Sequence, residues 1–138
     1  MAGEINYWAV LVSALVFYAI GAVWYSPLLF AKAWQKATGV TQEKMASVNK
    51  GKMALTFIST FILSLLMACV TAHLSIRVES HTLHSGIMLG FWIWLGYVAV
   101  SMGINYLYEG KSFKLFCINA GYFFIGLLKM GAIMALWQ

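Results

Sequence analysis

Four long stretches of the chain are almost free of charge. No Asp, Glu, Lys or Arg lies between Glu4 and Lys32, between Lys52 and Arg77, or between Glu79 and Glu109. From Lys114 to Gln138 the only charged side chain is Lys129. Each stretch exceeds the roughly 20 apolar residues that carry a helix across about 30 Å of hydrocarbon. The pattern predicts membrane spans at about residues 7–25, 53–74, 83–107 and 115–137. A chain in lipid must satisfy its own backbone hydrogen bonds, which leaves helices or a closed barrel. A barrel would show segments of about 10 residues with alternating polarity, and the sequence has none. The predicted fold is all-α: a single domain, 1–138, forming an integral membrane four-helix bundle. The first span is expected to stay in place rather than act as a signal peptide, because only Glu4 precedes it and no basic segment does.

The joints between spans have their own signals. Trp24-Tyr25-Ser26-Pro27 ends the first span. Ser26 as N-cap and Pro27 as first helical residue predict a short helix through Leu28, Leu29, Phe30, Ala33 and Trp34. Its mixture of apolar residues with Lys32 and Lys36 suits the membrane interface, and Thr38-Gly39 stops it. Thr41, Gln42 and Glu43 predict a further helix, running through Lys52 into the second span. The loops at Ser75–Thr82 and Glu109–Ser112 are short, so the spans they join are antiparallel neighbours.

Charge sets the expected orientation. Only 9% of residues are charged, against about a quarter in soluble domains. Of the nine Lys and Arg, Lys32, Lys36, Lys44, Lys50, Lys52, Lys111 and Lys114 fall in two loops on one side, and Arg77 alone on the other. The bias toward positive charge inside predicts that those two loops are cytoplasmic, the short helix lies on the cytoplasmic interface, both termini are outside, and the membrane is the inner (plasma) membrane. The net charge of +5 sits at membrane edges, so it points to membrane lipid and not to nucleic acid.

Polar residues within the spans recur at helical spacing: Ala14, Tyr18, Gly21 and Tyr25; Thr56, Thr60 and Ser64; Tyr97, Ser101, Asn105 and Glu109; Asn119, Tyr122, Gly126 and Lys129. Such positions share one helix face, and polar groups are costly in lipid, so these faces are expected to point into the bundle. Asn105 and Asn119 are equidistant from the hairpin tip at Ser112 and are expected to meet; Tyr25 and Thr56 lie at a common depth. The candidates for a solute or ion path are Lys129, Asn105, Asn119, Glu109, Tyr25 and Tyr122. Lys129 is the deepest charge and is expected to face a polar cavity or to reach back to the interface. His73, His81, His84 and Cys69 cluster near the outer ends of the second and third spans but match no strong metal spacing, so no metal is assigned. No cofactor motif, carboxylate pair, phosphate loop or Asp is present. Gly86-x-x-x-Gly90, Gly96, Ala99 and Gly103 give the third span a small-residue side suited to close packing within or between chains. Gly21-x-x-Trp24 with Lys32 is echoed by Gly103-x-x-Tyr106 with Lys114, a faint internal repeat.

The segments Trp24-Tyr25-Ser26-Pro27-Leu28-x-Phe30-x-Lys32-x-Trp34, Asn105-x-Leu107-x-Glu109-Gly110-Lys111 and Leu115-Phe116-x-Ile118-Asn119-Ala120-Gly121-Tyr122 resemble a small bacterial membrane family known as the domain of unknown function number one-seven-six-one. The resemblance implies a four-helix membrane protein and carries no activity. The functional expectation from the residues is binding or passage of a small solute or ion by a homo-oligomer. The alternatives are an accessory subunit that binds another membrane protein, and a membrane-embedded enzyme.

Overall fold

A computed structural model describes residues 3–137. The described residues contain helices and no strand. They are α1 (Tyr7–Trp24), α2 (Ala31–Thr38), α3 (Gln42–Ala46), α4 (Lys50–Arg77), α5 (Leu83–Ile93), α6 (Val100–Glu109) and α7 (Phe113–Leu136), with a π-helical stretch, Trp94–Ala99, joining α5 to α6. Four helices are long and apolar enough to cross a membrane: α1, α4, α7, and the continuous run Leu83–Glu109. The protein is a multi-pass membrane protein, as its charge-free stretches require.

The helix ends follow local chemistry. The Asn6 carboxamide oxygen accepts from the Trp8 and Ala9 amides at the start of α1, and its amide nitrogen donates to the Trp137 carbonyl at 2.7 Å. One side chain thus caps α1 and ties it to the end of α7. Thr82 and Ser85 cap α5 reciprocally, and Ser112 caps α7. Gly39 (φ 73°) and Gly110 (φ 67°) end α2 and α6 in the left-handed region that only glycine enters freely.

Two joints depart from the sequence reading. Ser26 does not cap a helix beginning at Pro27. Its hydroxyl does accept from the Leu28 amide at 3.3 Å while donating to the Val23 carbonyl at 2.6 Å, but only a turn follows: Phe30 bonds to the Trp24 carbonyl, and α2 begins only at Ala31. Nor does the helix begun at Thr41 run on into the second span. It stops at Ala46, and Asn49 opens α4 by accepting from the Gly51 amide, which is the alternative hydrogen bonding that makes Asn a helix starter.

α7 is the central helix. Of its most apolar window 39% is buried, against 6% for the third span. The core is Ala9, Val10, Ala14 and Phe17 from α1, Ala68 and Ala72 from α4, and Tyr122, Leu127, Met130 and Met134 from α7. Small residues on α1 and α4 let those helices lie close against the larger side chains of α7. Glycines do the same between α5 and α7. A Cβ on Gly86 would strike the Gly131 carbonyl oxygen, one on Gly131 would strike that of Gly86, and one on Gly90 that of Leu127. The Gly86-x-x-x-Gly90 side therefore packs within the chain, while Gly96 has nothing within 4 Å of its Cβ position.

Candidate functional site

At the lysine-rich end of the bundle, opposite the two chain ends, polar groups converge on Asn119. Its carboxamide oxygen accepts from the Tyr25 hydroxyl at 2.7 Å, and its amide nitrogen donates to the Tyr106 hydroxyl at 2.7 Å. Asn119 thus links the end of α1 to α6 through α7. The expected partner, Asn105, is exposed, and its carboxamide makes no hydrogen bond among the described residues. The next residue along, Tyr106, takes its place, because a tyrosine reaches across the hairpin where an asparagine falls short. Trp24 and Trp94 donate their indole N–H groups to the Ile118 and Ala120 carbonyls, each at 2.8 Å, clamping α7 on two sides. In the faint repeat, Trp24 and Tyr106 thus bond to neighbouring α7 residues.

Tyr122 lies one turn above Asn119 and donates to the Phe17 carbonyl at 2.9 Å. Gly21 makes room for it: a Cβ there would sit 2.8 Å from the Tyr122 hydroxyl. Beside these rings α1 and α4 part to leave a cleft of about 300 Å³, lined by Tyr18, Gly21, Ala22, Tyr25, Thr56, Phe57, Thr60 and Tyr122. Tyr25 and Thr56 do share a depth. The Thr56 and Thr60 hydroxyls donate back to the Lys52 and Thr56 carbonyls, so their unused capacity toward the cleft is as acceptors. No carboxylate, imidazole or thiol lines it.

A second cavity of about 260 Å³ lies below, lined by Tyr25, Ala31, Trp34, Gln35 and Met45. Tyr25 borders both and stacks edge-on with Trp34 and Tyr122. It is the partition between an interfacial hollow and a cleft within the spans. Lysines ring this end: Lys52 is one turn from Thr56 on the same face of α4, and Lys32 and Lys36 adjoin the lining residues Ala31 and Gln35.

The remaining candidates lie elsewhere. Lys129 does not face the bundle interior. It is exposed, at the edge of an apolar groove of about 350 Å³ with Val16, Ala19, Ile20, Val23, Trp24 and Leu29. The Phe17 ring already fills the space over Gly126, which pushes the next polar position of that stripe to the α1–α7 seam. Glu109 pairs with Lys111 at 2.7 Å at the hairpin tip, and that hydrogen bond raises the Lys111 pKa above its ordinary value. The stripe Tyr97, Ser101, Asn105, Glu109 faces outward, because α7 takes up the glycine side of the third span. His73 directs Nδ1 at the Cys69 carbonyl, 2.8 Å away. The four metal candidates form no group of three or more possible ligands among the described residues. Sequence reasoning missed Tyr18, Trp24, Trp94 and Tyr106 as site residues. Tyr106 stood out only as a matched position of the repeat, and Trp24 as that and as the head of the segment that ends the first span.

No curated protein and no solved structure matches the chain. The family described as a protein of unknown function, DUF1761, matches it over residues 8–135, which includes α1 from its second residue, the Asn119 hub and the whole cleft; the chain belongs to that family.

Proposed function

We propose that the protein binds a small amphipathic anion drawn from the bilayer leaflet at its lysine-rich end. The apolar part lies in the α1–α4 cleft, and the head group sits at the mouth among Lys50, Lys52, Lys32 and Lys36. The observation that carries this reading is the cleft itself: apolar walls, hydroxyl groups of Tyr18, Thr56 and Thr60, and basic residues at one end only. Such a lining suits a ligand with an oily body and an acidic end. By the bias of positive charge, that leaflet is the cytoplasmic one.

Two other readings have less support. Passage through a single copy has to contend with Ser13, Ala14, Ala68, Thr71, Met130 and Met134, at most 1% exposed, which fill the half of the bundle nearer the chain ends. Catalysis would need an acid or base where the ligand lies, and the cleft offers only tyrosine hydroxyls, with no carboxylate, imidazole or thiol beside them.

Native mass spectrometry of protein taken from nanodiscs of mixed phosphatidylglycerol and phosphatidylcholine tests the reading. Wild type is expected to retain the anionic lipid in preference. Thr60→Trp, which fills the cleft, is expected to abolish retention, and Lys50→Gln with Lys52→Gln to reduce the preference. Equal retention by wild type and Thr60→Trp would refute the site.

A further inference from the structure

The lipid-facing side of the third span carries a polar strip, Tyr97, Ser101 and Asn105, among exposed apolar residues such as Val100 and Ile104. Tyr97, 76% exposed, lies about 18 Å along the helix from Glu109 and about 21 Å from Leu83, near the middle of the bilayer. Ser101 and Asn105 follow at intervals of four and are exposed on the same face. The Ser101 hydroxyl is returned to the Tyr97 carbonyl. The Tyr97 hydroxyl and the Asn105 carboxamide have no hydrogen-bond partner among the described residues. Beside them Gly96 leaves open space where a side chain would stand. The exposed face of α4 differs, since Leu55, Ile58, Ile62, Leu66 and Val70 ask nothing of lipid but contact.

Polar groups at this depth belong against other polar groups, because hydrocarbon offers none. We propose that this face seats the same face of a second copy, giving a dimer about a two-fold axis normal to the membrane. Three arguments favour a copy of the same chain. Copies that insert alike run their third spans parallel, so each residue meets its own counterpart at one depth, as a two-fold contact requires. The groups at issue are complementary to themselves, since a carboxamide and a phenol each both donate and accept. No charge lies between Glu79 and Glu109, and Glu109, the one charge on the stripe, sits at the hairpin tip paired with Lys111. Gly96 then lets the two backbones approach closely. The α1–α4 cleft is formed by other helices, so this proposal does not rest on the binding reading.

Cysteine cross-linking in membranes decides it. With Cys69 and Cys117 replaced by Ala, single cysteines at positions 97, 101 and 105, and at 62 and 66 on α4, are oxidised with copper phenanthroline. Disulfide-linked dimers are expected at 101 and 105 and weaker ones at 97, with none at 62 or 66. Absence of dimers at 97, 101 and 105, dimers at 62 or 66, or products with a different protein would overturn the proposal. Asn105→Leu is expected to raise the dissociation constant about three- to tenfold, by energy transfer between labelled copies diluted in lipid. An unchanged constant would exclude Asn105 from the interface.

Discussion

The α5–α7 seam makes a quantitative prediction. A Cβ on Gly131 would lie 3.1 Å from the Gly86 carbonyl carbon and 3.1 Å from the Gly90 amide nitrogen, and closer still to the Gly86 oxygen, where ordinary contact begins at 3.4 Å. Neither backbone can yield alone, so Gly131→Ala has to push the helices apart by about 0.5–1 Å. A gap of that size forfeits a quarter to a half of the dispersion attraction of each contact across it. Overpacking of this kind costs about 1–3 kcal/mol, and the upper part applies here because the obstacle is backbone on both sides. Gly86→Ala meets the same obstacle from the other helix and is expected to cost about 2–3 kcal/mol as well. Once the helices have parted for one methyl, the second finds room. The double variant is therefore expected to fall short of the sum by about 1–2 kcal/mol, within the range of coupled neighbours. Gly96→Ala, which meets nothing, is expected to stay within about 0.5 kcal/mol of wild type. Reversible unfolding by SDS in dilute mixed micelles, followed by tryptophan fluorescence, measures all four. Additive costs for Gly86→Ala and Gly131→Ala, or a cost at Gly96 equal to theirs, would refute the seam.

Further outcomes follow from single side chains. The Ser13 hydroxyl is buried without a protein partner, so Ser13→Ala is expected to stabilise the bundle by about 1 kcal/mol in the same unfolding assay; a loss of stability would mean the hydroxyl is satisfied. Asn119→Leu removes two hydrogen bonds and Tyr25→Phe only one of them. At roughly 0.6 kcal/mol per bond within membranes, the asparagine variant is expected to cost at least twice as much, and equal costs would mean the Tyr106 bond contributes nothing. A cysteine at position 44, with Cys69 and Cys117 replaced, is expected to be shielded from an impermeant thiol reagent added to intact cells; labelling from outside would invert the orientation.

The spans were legible because charge is excluded from hydrocarbon: the gaps between Lys52 and Arg77 and between Glu79 and Glu109 bracket α4 and the third span to within a few residues. The level shared by Tyr25 and Thr56 was legible for the same reason, since depth follows from counting residues. Facing was not. A four-residue spacing says that Tyr97, Ser101 and Asn105 share a side but not which side α7 occupies, and the tight approach at Gly86, Gly90 and Gly131 decided that. The π-helical stretch at Trp94–Ala99 left no mark in the sequence. Reach was also hidden. Asn119 was singled out by position, yet whether Asn105 or Tyr106 meets it depends on side-chain length across the hairpin. Lys129 shows the limit of the stripe argument, because the Phe17 ring pre-empts the space toward which its face points.

The central claim is the location of a bound amphiphile, and photolabelling measures it most directly. Phosphatidylglycerol with a diazirine midway along one acyl chain is incorporated into vesicles holding the protein, irradiated, and the modified peptides are sequenced. The account predicts adducts concentrated on Tyr18–Tyr25 and Thr56–Thr60, lost in Thr60→Trp and outcompeted by unlabelled phosphatidylglycerol but not by phosphatidylcholine. Adducts spread evenly over the exposed faces, with Ile62 and Leu66 labelled as strongly as Thr56 and unchanged by Thr60→Trp, would contradict it.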